Sequence, residues 1–239
     1  MIALELLLAA APSVALMVFF YLKDRYEPEP RGHIAAAFAL GALVFLLPFA
    51  DAHFGLWERA MGREWLALGG TPARLFEAFV MAAGTEEFSK WIIFLTLIYR
   101  WQEFDEPFDG VVYAVAVALG FATVENVLYV LRAGATVGLE RAVLAVPAHA
   151  LYGAVMGFYF GRAKLGQVGT RNRRIIWLIF ALILPMIFHG SFDFAALVLR
   201  GYSMWILAAL FSGALWVFVL RRVERAVAES PFKPSGSER

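Results

Sequence analysis

The sequence predicts an all-α bundle of transmembrane helices, a polytopic membrane protein of about seven spans. Two observations carry this. Of 239 residues, 61% are hydrophobic and only 17% charged, where an ordinary soluble domain is about a quarter charged. The apolar residues come in blocks of about 20, the length that crosses a bilayer core of about 30 Å. A net charge of +1 offers no basic field for nucleic acid. The chain has no cysteine, which excludes disulfides, thiolate zinc sites and thiol nucleophiles.

The first span, 2–22, has no basic stretch before it, and Lys23, Arg25 and Arg31 follow it. It therefore reads as an uncleaved anchor and not as a signal peptide. The second covers 33–56. Residues 57–70 mix Trp57 and Trp65 with Glu58, Arg59, Arg63 and Glu64. That composition suits an interfacial amphipathic helix, a re-entrant or eighth element, or an ordinary loop with belt tryptophans. The remaining spans are 75–99, 108–131, 142–160, 175–199 and 202–220. Residues 1–222 thus form a single transmembrane domain. Residues 223–239 form a polar tail, Pro/Ser-rich at its end, that reads as disordered. With seven spans, Arg59, Arg63, Arg74, Arg132, Arg141 and Arg200 share one side, and the other loops and the tail hold most of the Lys and Arg. The positive-inside rule then puts the N-terminus outside and the C-terminus in the cytoplasm of a bacterial-type plasma membrane.

An ionisable residue inside a span costs about 2.5 kcal/mol or more to insert and usually faces a cavity or a partner. The third span contains "GTEEFSKW". On a helix Lys90 faces Glu86 at i,i+4 and Glu87 at i,i+3, so it can neutralise one carboxylate and leave the other for proton chemistry. A structural ion pair is the plainer reading. The fourth span holds Glu125 and Asn126, with Asp109 at its entrance as a helix N-cap or first-turn acid. The fifth holds His149, two residues after Pro147, a proline able to loosen the backbone there. The sixth holds His189 and Asp193 at i,i+4, a spacing that lets the acid orient the imidazole or join it on a metal. Each could be a satisfied structural group. Counted inward from the outer ends, however, Glu86, Glu125, His149, His189 and Asp193 fall in one layer about 9–17 Å deep. Four consecutive spans aim acids and histidines at one depth, which reads as one site.

Two hydrolytic mechanisms suit such a set. In one, His149, His189 and an acid (Glu125 or Asp193) hold a zinc-like ion and a glutamate takes a proton from its water. In the other, glutamate and histidine activate water directly. No H-E-x-x-H motif decides between them. Ser89 and Ser191 lack a Gly-x-Ser-x-Gly context, which argues against a serine nucleophile. Nothing implies a nucleotide, haem or flavin. Buried Glu, Asp, His and Lys also build proton-coupled transporters, and an inactive membrane scaffold is a further alternative.

Taken in order, "FYLKDRYEPEPRG", "GTEEFSKW", "FDGVVYAVAVALGFATVENVLYV", "AHALYGAVMGFYFG" and "HGSFDF" resemble the motifs of the PrsW family of intramembrane proteases, within the CAAX-protease and bacteriocin-processing superfamily. The resemblance covers most of the chain. It implies peptide-bond hydrolysis in or near the membrane, on a membrane-anchored substrate such as an anti-sigma factor cut on its outer side. It also implies functional positions at Glu86, Glu87, Glu125, His149, His189 and Asp193. The expected roles are Glu86 as general base, Glu87 as its partner or the partner of Lys90, and Glu125 as ligand or second acid. His149 and His189 bind metal or the activated water, and Asp193 orients His189. Lys90 and Asn126 are supporting.

Overall fold

The computed structural model describes residues 2–46, 69–166 and 171–234. Among them every regular element is helical. The helices are α1 (Ile2–Tyr21), α2 (Arg31–Leu46), α3 (Gly70–Phe76), α4 (Ala83–Thr96), α5 (Pro107–Ala133), α6 (Ala135–Val143), α7 (Ala145–Leu165), α8 (Arg171–Val198) and α9 (Tyr202–Ala228). A π-helical turn, Glu77–Ala82, joins α3 to α4, and a 3₁₀ turn, Ile98–Arg100, follows α4. By length and composition α5, α6–α7, α8 and α9 can each cross a membrane, and Ala9–Tyr21 and Arg31–Leu46 are shorter apolar helices. The outer end of the expected second span and the expected element at 57–70 lie outside the described residues, apart from Gly69 and Gly70.

The centre is α5, buried continuously from Pro107 to Ala122. Its start is fixed locally. Pro107 stands in the first turn, and Glu106 and Asp109 form a reciprocal capping box, with Asp109 Oδ2 accepting the Glu106 amide at 2.7 Å. Asp109 is thus the capping acid the sequence predicts. The helix ends at Gly134, whose φ of 86° suits glycine.

α5 packs on α7 through small residues. A Cβ on Gly157 would strike the Gly110 carbonyl, one on Gly161 the Pro107 carbonyl, and one on Gly153 the Ala114 carbonyl. These glycines repeat every four residues, so one face of α7 lies almost backbone to backbone on α5. Gly41 of α2 and Gly120 of α5 let those two helices approach in the same way. α1 is tied on by hydrogen bonds: Thr123 Oγ1 donates to Ser13 Oγ at 2.7 Å, and Asn126 Nδ2 donates to the Ala9 carbonyl at 3.0 Å.

α8 and α9 lie at the rim. Ile175, Ile179, Ile183 and Ile187 of α8, and Ile206, Leu210 and Val217 of α9, are exposed, an apolar surface suited to lipid. α9 continues to Ala228, beyond the boundary expected at 222, because Val223 and Ala226 extend its buried face. Ser230 is buried as well; of the expected tail, residues 235–239 lie outside the described residues.

The α5–α7 seam generates a paired prediction. Gly157→Ala should destabilise the protein by about 1–3 kcal/mol through overpacking. Gly213→Ala, at a helical position with nothing within 4 Å of the added Cβ, should be neutral or stabilising by up to about 1 kcal/mol. Thermal unfolding of the detergent-solubilised protein checks both signs.

Candidate active site

Four helices deliver the expected side chains to one place. α4 contributes Glu86, Glu87 and Lys90, α5 Glu125, α7 His149, and α8 His189 and Asp193. Just before α4, the π turn widens the backbone, as such turns often do beside functional groups. Thr85 and Ser89 hydroxyls bond back to carbonyls in the helix, Ser89 Oγ to the Thr85 carbonyl at 2.6 Å. The Ser89 hydroxyl is therefore engaged, in keeping with the argument against a serine nucleophile. Pro147 lies in the first turn of α7, where its missing N–H has no intrahelical partner to lose. The helix is interrupted between α6 and α7 at Leu144, three residues before Pro147 and five before His149.

Lys90 is the hub. Its Nζ donates to Glu87 Oε1 at 2.8 Å, lies 3.4 Å from Glu86 Oε2 and 3.2 Å from His149 Nδ1, and sits 4.0 Å from the centre of the Phe121 ring. An ammonium only donates, so His149 accepts at Nδ1 and presents Nε2–H to Glu125 Oε2, 3.1 Å away. Glu125 Oε2 also pairs with Arg141 Nη2 at 2.7 Å. His189 stands between two acids, Nδ1 at 3.0 Å from Glu87 Oε1 and Nε2 at 3.3 Å from Asp193 Oδ2. Neutral imidazole donates to one of them, imidazolium to both.

The two adjacent glutamates differ in access. A cavity of about 820 Å³ is lined by Glu86, Glu125, His149, Tyr152, His189 and Asp193 among others, with Arg132, Arg141 and Arg200 also in its wall. Glu86 retains 21% of its side-chain surface, while Glu87 and Lys90 retain 0% and 1%. Glu87 thus sits behind the wall in an ion pair, and Glu86 faces the cavity. Asn126 stands apart, bonded to α1.

Two residues of the site were not singled out in the sequence. Arg141 reads in sequence only as a loop arginine, yet it holds Glu125 and stacks on Tyr129 at 3.9 Å. Tyr152 stacks on His189 with ring centroids 5.0 Å apart, and its buried hydroxyl has no hydrogen-bond partner. It falls within the stretch "AHALYGAVMGFYFG", three residues after His149 and nearly one turn along α7.

Among the described residues, Glu86, Glu87, His149 and His189 form a potential ligand set, with one donor atom from each within 4.8 Å of the others. This differs from the expected set of His149, His189, Asp193 and Glu125. Arg141 already neutralises Glu125, and Asp193 lies on the far nitrogen of His189. Two imidazoles with carboxylates suit a zinc-like ion. Glu87 Oε2, buried with no hydrogen-bond donor, has a lone pair to offer. The residue types therefore fit a metal, which would have to displace the Lys90 ammonium from His149 Nδ1, since Lys90 Nζ contacts three of the four members.

The family model described as PrsW family intramembrane metalloprotease matches residues 29–221. Protease PrsW of Geobacillus kaustophilus is 41% identical over 217 residues, 90% of this chain and 89% of the relative. Protease PrsW of Bacillus subtilis is 38% identical over 217 residues, covering 90% and 92%, and that of Clostridioides difficile 31% over 232 residues, covering 94% and 92%. No solved structure matches.

The Lys90 hub generates a prediction of its own. Lys90→Met leaves the Glu87 carboxylate buried without its cation and should cost about 3–5 kcal/mol. Adding Glu87→Gln in the same chain should recover part of that loss. Thermal unfolding of the four species gives the coupling; strictly additive losses would contradict the pair.

Proposed function

The chain belongs to the PrsW family of intramembrane metalloproteases, and from that premise we propose how its residues cut a peptide bond. It is an integral membrane peptide hydrolase, so the transporter and scaffold readings give way. The observation that carries the mechanism is the split between the glutamates: Glu86 faces the cavity, and Glu87 is fixed behind it by Lys90 and His189. Glu86 is the general base. It takes a proton from water in the cavity as the oxygen attacks the scissile carbonyl, then returns that proton to the departing amine. The Tyr152 hydroxyl, which has no internal partner, donates to the oxyanion of the tetrahedral intermediate. Asp193 orients His189, and Arg141 with His149 holds Glu125 in place.

Glu87, His149 and His189 are the residues that would hold a zinc-like ion beside Glu86. Such an ion, when bound, acidifies water and polarises the carbonyl. The residues lining the cavity come from the C-terminal ends of α2, α5, α6 and α8, the π turn, and the N-terminal ends of α4, α7 and α9. Most of the Lys and Arg gather at the other end of the bundle, so the positive-inside rule favours a cavity mouth on the outer side. The substrate in this reading is a membrane-anchored protein cut near its outer membrane boundary, an anti-sigma factor being one such protein.

Glu86→Gln should lower cleavage by about 10²–10⁴-fold with folding and insertion unchanged. Comparing membrane proteomes of cells carrying wild type or Glu86→Gln should reveal a fragment made only by wild type; cleavage retained in the variant overturns the assignment. For the metal, purified wild type should contain zinc that His149→Ala/His189→Ala loses, and a chelator should stop hydrolysis. Chelator-resistant cleavage by metal-free protein would instead favour direct activation of water by Glu86.

A further inference from the structure

The opposite end of α5 holds a second buried polar cluster that hydrolysis does not use. Asp24 and Glu29 come from "FYLKDRYEPEPRG", and Glu106 and Asp109 from the start of α5; all four are 5% exposed or less. Carboxylate oxygens of Asp24, Glu106 and Asp109 lie within 4.8 Å of one another. At 1.5 Å per residue, Asp109 is about 24 Å along α5 from Glu125.

Some of these oxygens have donors. Asp24 Oδ2 accepts the Glu29 amide at 3.3 Å, and Asp109 Oδ2 accepts the amides of Asp105 and Glu106 at 2.9 and 2.7 Å. Glu29 Oε2 accepts from the Tyr113 hydroxyl and Glu106 Oε2 from the Ser230 hydroxyl. Three others do not: Asp24 Oδ1, Glu29 Oε1 and Asp109 Oδ1 are buried with no hydrogen-bond partner. Among the described residues no lysine or arginine forms an ion pair with any of the four. Lys164, packed on Phe104 at 4.4 Å, gives its Nζ to the Trp101 carbonyl at 2.8 Å. The acids instead lie against one another, Asp24 on Glu106 and Asp109 on Glu29. Acids gathered away from water with unused lone pairs call for a positive partner.

We propose that Asp24, Glu106 and Asp109 form a binding site for a hard divalent cation of the Mg²⁺ or Ca²⁺ class. The donors are all oxygen, with no imidazole or thiolate, which selects such ions over zinc. One cation engages several of the unpartnered lone pairs together, where one proton serves a single oxygen. It fastens three pieces of chain at this end: the connector from α1 to α2, the start of α5, and the segment after α9 that reaches Glu106 through Ser230.

The test uses full-length protein in detergent, stripped with chelator and titrated with Tb³⁺. Tyr113, whose hydroxyl rests on Glu29, and Trp101, 5.1 Å away between ring centroids, sensitise terbium bound there. Luminescence should saturate, fall when Ca²⁺ or Mg²⁺ is added, and persist in Glu86→Gln/Glu87→Gln. Asp24→Asn/Asp109→Asn should weaken binding at least about tenfold, because the site's affinity follows its ligand charge. Asparagine keeps an acceptor for the amides at the α5 cap, and Glu106→Gln, which keeps one for Ser230, is a second variant should the first fail to fold. No saturable luminescence in wild type overturns the proposal and means the carboxyls share protons. Luminescence lost in Glu86→Gln/Glu87→Gln but unchanged in Asp24→Asn/Asp109→Asn also overturns it.

Discussion

One ammonium holds the reactive end of this molecule together. Lys90 Nζ contacts Glu87, Glu86 and His149, and neither Glu87 nor His149 has water to fall back on. Burying a charge is tolerable only when partners return what hydration gave. Through Glu87 the contact reaches His189, and through His149 it reaches Glu125 and Arg141. A chain of ion pairs and charge-assisted hydrogen bonds thus crosses α4, α5, α6, α7 and α8, and the position of each member depends on the next. The pair at its centre also sorts two chemically identical neighbours: the glutamate it buries is immobilised, and the one it leaves beside the cavity keeps access to water.

Such a network tolerates little play, and the packing around α5 limits it. Because Gly153, Gly157 and Gly161 bring α7 against α5 almost backbone to backbone, the register of His149 against Glu125 is set by steric contact along the whole seam. Shape complementarity of this kind replaces the hydrophobic effect, which gives little preference for helix–helix over helix–lipid contact in a bilayer. α5 therefore serves as a ruler with a polar group at each end: Glu125 in the proposed hydrolytic site, and Asp109 in the acidic cluster beneath the connector from α1 to α2. Membership of the PrsW family explains the chemistry at one end and leaves the other end to be accounted for by its own charges.

Much of the architecture was legible in the chain. Block length and composition identify a helical membrane bundle, since a bilayer admits only helices or closed barrels. Depth counting brings Glu86, Glu125, His149, His189 and Asp193 to one layer, because rise per residue is nearly constant in a helix. Capping chemistry at Glu106 and Asp109 is local and was also readable, at least for Asp109. The extension of α9 past residue 222 was not, because a polar tail composition hides the buried Val223 and Ala226.

Height along a helix follows from sequence, but rotation about it does not. Successive residues differ by about 100°, so Glu125 turns into the cavity while its neighbour Asn126 turns to α1. The same rotation separates Glu86 from Glu87. Sequence spacing alone left open which glutamate is free, whether Pro147 disturbs the backbone, and that Arg141 and Tyr152 belong to the site at all. Those questions concern which face of one helix meets which face of another, and only the packed bundle decides them. The sequence by itself determined the class of protein, its polar layer and its family motifs. The tertiary structure determined which charges neutralise one another, because that depends on distances across helices far apart in the chain.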